Sequence, residues 1–539
     1  MSAHHLTTQL RDERIRHHES AGEWPAPGVA ELAERRRTRD PGAELIVDGD
    51  VRLTVGEFVS RAQAIAGGLV DLGVGVGEVV SWELPSWWEA AALTVAIDWI
   101  GAISNPIIPI YREREVAFIA RQASSRVLVV PGVFRGFDYR DLARAVQSAS
   151  EELRHLIVVR GDPGPGMVPF DRILGSPHRP TRCRRSPNDV SMLFYTSGTT
   201  ADPKGVMHTT STIGAYARSS VDCLGTGPDD VGLLQFPLTH IGGLVAFVVA
   251  PLLAESRVVY LDTWEPGRAL ELIEAEKVTS AGGPPVILQG LLAAPDFSPE
   301  RVRTVRSAGT GAAGIPPLLV REVGEKFDAS CFRAYGLTEC PMLTTGVRSD
   351  PEQKRMYTDG RPSPGCRVRI VDADGVELPP DSEGEIHAFG PQLCVGYLDA
   401  DLSRDAFTAD GYLRTGDLGV VDADGYVRVT GRVKDIIIRK GENLSAKAIE
   451  DVLAGHPDIA DVAVIGMPDP ISGELACAVV VARAGGRPVT LEGIRQHMID
   501  LNVMRQMIPE RLEVVDALPR NATGKVLKYE LQRRFGETA

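Results

Sequence analysis

Hydrophobic and polar positions alternate along most of the chain between a strand pattern and a helical pattern. Residues 57–74 carry apolar side chains at helical spacing up to a closing glycine, which predicts a helix and its C-terminal cap. Further strands are expected at 79–84 and 103–110, with a helix over 89–100 between them. The alternation returns at 126–131, 156–160 and 257–261. This order is typical of parallel sheets with crossover helices.

The pattern changes after about residue 365. Short β-rich segments are expected at 368–371, 384–388 and 425–430. They are separated by two DADG turns, in which Asp-Gly supplies the positive φ of a tight turn. A last α/β segment follows from about residue 433, with strands expected at 436–438, 461–465 and 476–482 and helices at 446–454 and 491–501. The sequence therefore predicts an α/β protein with a large N-terminal domain (1–432) of parallel-type sheets flanked by helices plus a β-rich subdomain. A small, mobile α+β domain (433–539) completes it, with the boundary near 431–435.

Composition excludes several classes of protein. The 539 residues are 43% hydrophobic and carry a net charge of −14, which favours a folded chain and argues against a nucleic-acid surface. The seven scattered cysteines form no CxxC pair, so we expect reduced thiols and neither a zinc site nor a disulfide framework. The N-terminus lacks the apolar run of a signal peptide, and the apolar stretches 87–110 and 241–254 are too short or too charged to span a membrane. A cytoplasmic protein without a transmembrane segment is predicted.

The strongest chemical signal is the run YTSGTTADPKG, from Tyr195 to Gly205. It follows a predicted strand at 190–194. Its hydroxyls and glycines suit a backbone that wraps around phosphate oxygens, and its lysine can neutralise their charge. An isolated Ser/Thr/Gly loop would be a polar turn, but this pattern is too long and specific for that reading. The run also does not fit the GxxxxGK[ST] loop of many nucleotide-binding proteins.

Four further motifs follow in order: YGLTE (335–339), YLRTGD (412–417), GRVKD (431–435) and the segment from Pro519 to Lys525. With the glycine-rich run, this set resembles the adenylate-forming superfamily, which includes acyl-CoA and aryl-CoA synthetases, peptide-synthetase adenylation domains and beetle luciferases. The resemblance extends from about residue 45 to the end of the chain. It implies that the protein joins a carboxylic acid to AMP, using ATP, and then hands the acyl group to a thiol.

The resemblance also implies roles for individual residues. Tyr335 would stack on adenine with Gly336 and Gly309 beside it, Thr338 would contact the α-phosphate, and Glu339 would hold Mg²⁺. A carboxylate suits that hard cation. Alone, Glu339 would be read as a surface carboxylate at the start of a helix. The implied phosphate-binding residues are Thr196, Ser197, Gly198, Thr199, Thr200 and Lys204.

Three charged residues complete the expected nucleotide site. Asp417 would hold both ribose hydroxyls with its two oxygens, and Arg432 would contact ribose and phosphate. Lys525 would touch the attacking carboxylate and the α-phosphate and stabilise charge in the transition state. Taken singly, the Gly-Asp pair would be a turn and Lys525 an exposed side chain. The expected catalytic residues are therefore Lys525, Thr338, Glu339 and Lys204.

The second half-reaction requires a thiol acceptor. Lys434 corresponds to the hinge position of the superfamily, about which the C-terminal domain is expected to swing. The face presented to CoA would carry Lys440, Gly441 and Glu442, with Gly441 lining the pantetheine tunnel; an ordinary turn glycine is the alternative. His240 resembles the ring that gates the acyl tunnel in many CoA ligases, although a lone histidine in apolar surroundings is more often structural.

The acid pocket is expected between residues 236–244, 307–312 and the segment after Glu339. The first two stretches contain no charged residue, so a second charge on the substrate would be left buried and unpaired. The chain resembles synthetases of medium-chain and alicyclic acids, which favours an apolar acid. The predicted pocket residues are His240, Gly243, Ala308, Gly309, Thr310 and Gly311.

The leading hypothesis is thus an ATP- and Mg²⁺-dependent acid–CoA ligase for a medium-chain, branched or alicyclic acid. Three alternatives stay open: an acyl-AMP ligase that loads a carrier protein, an oxygenase of the luciferase kind, and a non-catalytic nucleotide-binding scaffold. The intact charged motif residues count against the scaffold. The complete KGEN segment (440–443) favours CoA over a carrier protein.

Overall fold

The computed structural model describes residues 8–196, 203–439, 442–469, 473–501, 503–521 and 524–536. Two large sheets, a small antiparallel sheet and a C-terminal sheet contain most of its strands. A two-stranded ribbon (Val133–Phe134 and Phe137–Asp138) lies outside them. The predicted α/β class with parallel N-terminal sheets is confirmed.

The first large sheet has seven strands. Its neighbours run parallel except at one edge, where the strand before the glycine-rich loop pairs antiparallel with the strand after it. In spatial order the strands are Lys204–Thr209, Val190–Thr196, Ile103–Pro106, Val79–Trp82, Ser125–Pro131, His155–Val159 and Val168–Pro169. The glycine-rich loop therefore connects two paired strands.

The second large sheet has nine strands and is parallel over its middle six. Antiparallel strands close both edges. In spatial order the strands are Arg361–Pro362, Thr344–Thr345, Ser330–Tyr335, Ser307–Thr310, Ser280–Ala281, Val231–Leu234, Arg257–Tyr260, Glu44–Asp48 and Val51–Thr54. The YGLTE motif thus begins at the carboxyl end of one of the parallel strands.

Helices cover the sheets, and a shared apolar core joins the two. Helix Trp88–Trp99 is buried almost all round, which explains the apolar stretch around it. In the described part of the chain, no helix combines the length and the hydrophobicity needed to cross a bilayer. The N-terminal helices are Thr8–Ser20, Val29–Arg39, Val55–Asp71, Trp88–Trp99, Glu113–Gln122, Tyr139–Ser148, Phe170–Leu174, Thr210–Leu224, Ile241–Leu244, the π-helix Val245–Val249, Ala250–Ala254, Pro266–Glu276, Pro285–Ala293, Pro299–Val302, Pro317–Phe327, Glu352–Tyr357 and Ala400–Ala406.

The β-rich region after residue 365 is a four-stranded antiparallel sheet, as the turn pattern predicts. Its strands, in order, are Arg367–Val371, Gly384–Phe389, Leu413–Val421 and Val427–Arg432. After the short 3₁₀ turn Val433–Asp435, the chain enters a separate sheet. The change of sheet falls at the predicted boundary, and the division into domains at 432 stays a prediction.

The C-terminal sheet has five strands. Its path runs through Glu442–Ser445, Ile436–Arg439, Gly473–Ala482 and Ile459–Asp469, and Arg511–Val514 pairs parallel with the third of these. Helices Ala446–Leu453, Leu491–Asp500 and Lys528–Gly536 and the 3₁₀ turn Arg505–Met507 complete this region. The long hairpin Ile459–Asp469/Gly473–Ala482 extends well beyond the predicted strand at 461–465.

Three predicted boundaries are wrong for identifiable reasons. The strand expected over 103–110 ends at Pro106, because Pro106 and Pro109 cannot donate ladder hydrogen bonds. The helix expected from residue 57 begins at Val55, because Thr54 and Glu57 form a capping box. The strand expected from Gly425 begins at Val427, since residue 425 belongs to the turn and has a φ of 81°.

Candidate active site

A cavity of about 1820 Å³ lies where the carboxyl end of the nine-stranded sheet meets the antiparallel sheet and the C-terminal region. Most of the residues singled out from the sequence line it. They are Thr196, Lys204, His240, Gly309, Thr310, Gly311, Tyr335, Gly336, Thr338, Glu339, Asp417, Arg432, Lys434 and Lys525. Residues more than 300 positions apart in the chain therefore face one common space.

Asp417 is the centre of a buried polar group. Its side chain accepts a hydrogen bond from the Tyr335 hydroxyl at 2.7 Å and forms an ion pair with Arg432 Nε at 2.9 Å. Strand pairing places Asp417 opposite Arg432, so the antiparallel sheet itself brings the two charges together. The carboxylate is only 3% exposed. Burial beside Asp417 raises the pKa of the Tyr335 hydroxyl well above its usual range, so Tyr335 stays a donor.

The turn after Tyr335 returns sharply on itself. A side chain at Gly336 would meet the Met342 nitrogen at 2.4 Å, so the position requires glycine. The carbonyl of Thr338 accepts from His208 Nε2 at 2.8 Å, which fixes the proton of His208 on that nitrogen. Burial lowers the pKa of His208 to about 4, so the ring is neutral at pH 7. The neutral His208 ring therefore fixes the backbone of Thr338 through this hydrogen bond.

Glu339 is held by a residue distant in sequence. The Tyr397 hydroxyl donates to Glu339 Oε1 at 2.6 Å, and the Cys394 N–H donates to the Glu339 carbonyl at 2.7 Å. The carboxylate retains acceptor capacity toward the cavity, because a carboxylate has about four lone-pair sites. Lys204 Nζ lies 5.9 Å from the centre of the Tyr397 ring, on the same side of the cavity.

The donor set at Glu339 fits a magnesium ion. Mg²⁺ in nucleotide sites is bound through one or two carboxylates, with phosphates and water as its other ligands. Among the described residues, no group of three or more His, Cys, Asp and Glu side chains could form an all-protein metal site. The single carboxylate of Glu339 would hold such a cation together with phosphate oxygens and water, and the cation would supply charge neutralisation at the phosphates.

The glycine-rich loop is described at its two ends. Thr196 and Lys204 are direct partners across the antiparallel pair, so the loop leaves and re-enters the sheet at one point, and both residues line the cavity. Gly205 packs against the Tyr195 ring, where a side chain would come within 3.1 Å of ring atoms. The predicted phosphate-binding residues Ser197, Gly198, Thr199 and Thr200 lie outside the described residues.

Lys525 reaches the cavity from the C-terminal region. Its backbone N–H donates to Asn521 Oδ1 at 2.9 Å, and Gly524, with a φ of 82°, turns the chain toward Pro284 of the N-terminal part. Burial, reinforced by the charges of Arg432 and Lys434, lowers the pKa of Lys525 to about 8. A half-buried ammonium with a lowered pKa is the kind of cation that an incoming anion stabilises.

One wall of the cavity is apolar and free of charge over the predicted stretches. It includes Phe236, Ile241, Phe247 and Met342, and the small residues at 309–312 line the same cavity. His240 caps helix Ile241–Leu244, and its Nδ1 accepts from the Gly242 N–H at 3.1 Å. Burial lowers the pKa of His240 to about 4, so this ring is also neutral.

Two predicted pocket residues, Ala308 and Gly243, are not among the residues that line the cavity. Ala308 is fully buried in the core beside its strand, whereas its neighbour Gly309 lines the cavity. Gly243 packs against the Pro237 carbonyl, which a side chain would meet at 2.3 Å. The assignment of Ala308 and Gly243 to the acyl pocket stays a prediction.

The predicted CoA tunnel is described only in part. His240 lies in the cavity, and Glu442 begins strand Glu442–Ser445. Lys440 and Gly441 lie outside the described residues. Conversely, sequence reasoning missed His208 and Tyr397, which hold Thr338 and Glu339. No spacing in the sequence connects these residues to the motifs that they support.

Comparison with known proteins gives a consistent result. The family model of the AMP-binding enzymes matches residues 33–398, and the model of their C-terminal domain matches 448–525. The medium-chain fatty-acid–CoA ligase of Escherichia coli K12 is 29% identical, over 98% of this chain and 94% of that protein. The 2-hydroxy-7-methoxy-5-methyl-1-naphthoate–CoA ligase of Streptomyces carzinostaticus is 32% identical, over 97% and 96%.

A solved structure shares both fold and sequence similarity. ATP-bound MatB from Rhodopseudomonas palustris superimposes with a TM-score of 0.86 and 28% identity, covering 94% of this chain and 99% of that one. The family model alone spans more than half of the chain, and the motif residues converge on a single cavity. The chain therefore belongs to the AMP-binding enzyme family, as its resemblance to the adenylate-forming superfamily predicts.

Proposed function

We propose that this enzyme activates an apolar carboxylic acid with ATP to acyl-AMP and pyrophosphate, and then transfers the acyl group to CoA. The observation that carries the proposal is the cavity in which Glu339, Asp417, Arg432 and Lys525 converge beside an uncharged wall. Family membership supports the adenylation step. The predicted cytoplasmic location and the mobility of the C-terminal region are parts of the same proposal.

The first half-reaction joins two anions, so charge neutralisation is its main requirement. A carboxylate oxygen forms a bond to the α-phosphorus while the bond to the pyrophosphate oxygen breaks. In this proposal, Asp417 holds the ribose hydroxyls, Lys204 neutralises the departing pyrophosphate, and Lys525 neutralises charge between the carboxylate and the α-phosphate. Glu339 holds the Mg²⁺ that accompanies the nucleotide.

The acid is placed against the apolar wall. An aliphatic or alicyclic tail would contact Phe236, Ile241 and Met342, where a second charge would find no partner in the stretches 236–244 and 307–312. One relative is named for a medium-chain fatty acid and another for a naphthoate, at 29% and 32% identity. These values support no choice between them, and the uncharged wall favours an apolar acid of either shape.

The second half-reaction is proposed to use CoA. The thiolate sulfur attacks the acyl carbon, AMP leaves, and a thioester remains. Swinging the C-terminal region about Lys434 would withdraw Lys525 and present the 440–443 segment. The alternative acceptor is the phosphopantetheine thiol of a carrier protein, and the KGEN segment favours CoA.

A pyrophosphate-release screen tests the proposal. Straight-chain, branched, alicyclic and aromatic acids are each supplied with Mg·ATP, with and without CoA. We expect acid-dependent release that is strongest for apolar acids, and a thioester product when CoA is the only acceptor. Normal acyl-AMP without any CoA thioester would identify a carrier-protein ligase. No acid-dependent release with any acid would support the scaffold alternative.

A further inference from the structure

The first helix, Thr8–Ser20, precedes the region that the family model matches, and it contains a deeply buried cation. Arg14 is only 3% exposed. One guanidinium nitrogen donates to the Leu393 carbonyl at 2.8 Å, and the other terminal nitrogen donates to the Cys394 carbonyl at 2.9 Å. Within the described residues, no carboxylate forms an ion pair with Arg14. A buried arginine that bonds only main-chain carbonyls has been placed to hold a backbone segment.

That backbone segment is residues 390–398, here termed the clamp. On the side opposite Arg14, the Cys394 N–H donates to the Glu339 carbonyl at 2.7 Å, and the Tyr397 hydroxyl donates to the Glu339 carboxylate at 2.6 Å. The clamp thus holds both the backbone and the side chain of Glu339. Cys394 therefore bridges Arg14 and Glu339, because its carbonyl accepts from Arg14 and its N–H donates to the Glu339 carbonyl.

The clamp is also tied to the strand that carries Lys204. The Val395 N–H donates to the Met207 carbonyl at 2.9 Å, and the Leu398 N–H donates to the Gly205 carbonyl at 2.8 Å. A second contact from the N-terminal region reinforces the first, because Trp24 Nε1 donates to the Pro391 carbonyl at 3.0 Å. Removing Arg14 would take away the donor to the buried carbonyls of Leu393 and Cys394, in the middle of the clamp.

We propose that Arg14 is a positioning residue for the magnesium-binding carboxylate. Through the clamp, the N-terminal helix fixes the position at which Glu339 meets the cation that accompanies ATP. The inference rests on the proposed function, because it takes Glu339 as the magnesium ligand. Arg14 itself is not among the residues that line the cavity.

Mn²⁺ binding tests the inference without relying on turnover. The full-length enzyme is mixed with the unreactive analogue α,β-methylene-ATP, and free Mn²⁺ is followed by electron paramagnetic resonance. We expect the Kd for Mn²⁺ to rise about fivefold in Arg14→Met, because two charge-assisted hydrogen bonds to the clamp are lost. Arg16→Met, on the exposed side of the same helix, is the matched control and should stay within about twofold of wild type.

Hydrogen exchange gives an independent readout. In the ligand-free enzyme, Arg14→Met should speed amide exchange in peptides covering 336–342 and 390–398, whereas Arg16→Met should not. If Arg14→Met does not fold, Arg14→Lys decides, because it keeps the charge and can reach one carbonyl. Its Kd for Mn²⁺ should rise about two- to threefold.

The outcomes separate the inference from the proposed function. Glu339→Gln should weaken Mn²⁺ binding about tenfold; an unchanged Kd there would defeat the role of Glu339 itself. If Glu339→Gln weakens binding while Arg14→Met and Arg14→Lys both bind like wild type, the positioning role is overturned. A variant with a lower melting temperature and a wild-type Kd would show that Arg14 has only a structural role.

Discussion

The ribose-side group (Asp417, Arg432 and Tyr335) and the turn that carries Lys525 face the same cavity, but their charged side chains have different surroundings. Asp417 is buried between two strands of the antiparallel sheet and is already paired with Arg432 and Tyr335. Lys525 sits in a short turn, half-buried, with Arg432 and Lys434 among the charges that act on it. Among the described residues, the Asp417 carboxylate has a hydroxyl donor and a guanidinium partner, whereas the Lys525 ammonium forms no ion pair.

From this difference we expect Asp417 to contribute mainly to nucleotide binding and Lys525 mainly to the rate of adenylation. A preorganised, paired carboxylate changes little when ATP arrives, so it contributes to holding the nucleotide. An ammonium whose pKa is lowered by burial gains most when negative charge approaches, which happens as the carboxylate and α-phosphate come together. Interactions that strengthen in the transition state are those that accelerate a reaction. The predictions below test this contrast.

Replacing Lys525 should have the largest effect. Lys525→Ala removes the only charge assigned to the bond-forming centre, so acyl-AMP formation should fall by about 10²–10³-fold. Transfer of the acyl group from preformed acyl-AMP to CoA should be largely spared, because that step uses a different face of the C-terminal region. Single-turnover assays of each half-reaction measure both values. Equal losses in the two would contradict the role assigned to Lys525.

The pH dependence of adenylation should report the same residue. Only the ammonium form neutralises charge, and the pKa of Lys525 is about 8. The value of kcat/KM for acid activation should therefore fall as pH rises above that value, approaching a loss of about tenfold per pH unit. Lys525→Arg keeps its charge, so its profile should stay flat to about pH 9.5, at a lower rate. A wild-type decline shared by Lys525→Arg would point to another group.

Weakening the ribose-side group should mainly affect binding. Asp417→Asn loses the ion pair with Arg432, so the KM for ATP should rise about tenfold with a smaller change in kcat. Asp410→Asn is a suitable control, because Asp410 pairs with Arg369 at the exposed edge of the same sheet. Steady-state kinetics with ATP as the varied substrate distinguish the two. A fall in kcat at constant KM would place Asp417 in the chemical step.

Removing the Tyr397 hydroxyl should have the smallest effect. Tyr397→Phe leaves the ring in place but deletes the hydrogen bond to Glu339. The concentration of free Mg²⁺ for half-maximal adenylation should rise about threefold, because an outer partner of a metal ligand is lost. Titration of Mg²⁺ at saturating ATP provides the measurement, and an unchanged midpoint would show that Glu339 does not need this contact.

Sequence reasoning predicts the α/β architecture and most elements of the site because these depend on local patterns. Period-two and helical spacings identify the parallel strands and their helices, and the motifs identify Tyr335, Asp417, Arg432 and Lys525 as residues of one cavity. Element boundaries are predicted less well where a proline ends a strand, as at Pro106, or a cap starts a helix, as at Thr54. These corrections are small because the apolar pattern still fixes which element is present.

The contacts that support Thr338 and Glu339 could not be predicted from the sequence. His208 donates to the Thr338 backbone across 130 positions, and Arg14 reaches the clamp across 380. Such contacts depend on how sheets and helices pack, which no spacing along the chain encodes. The direction of a small side chain is equally hard to predict: Ala308 stands in a glycine- and alanine-rich run, and its methyl is buried in the core. Its role in the acyl pocket stays a prediction.

The most direct test of the account is acid-dependent exchange of labelled pyrophosphate into ATP, measured without CoA. The assay detects reversible formation of acyl-AMP, the step for which the cationic residues are proposed to converge. We predict exchange that requires Mg²⁺ and an apolar carboxylic acid and that is nearly abolished in Lys525→Ala. Exchange of equal rate in wild type and Lys525→Ala, or none with any acid in the panel, would contradict the account.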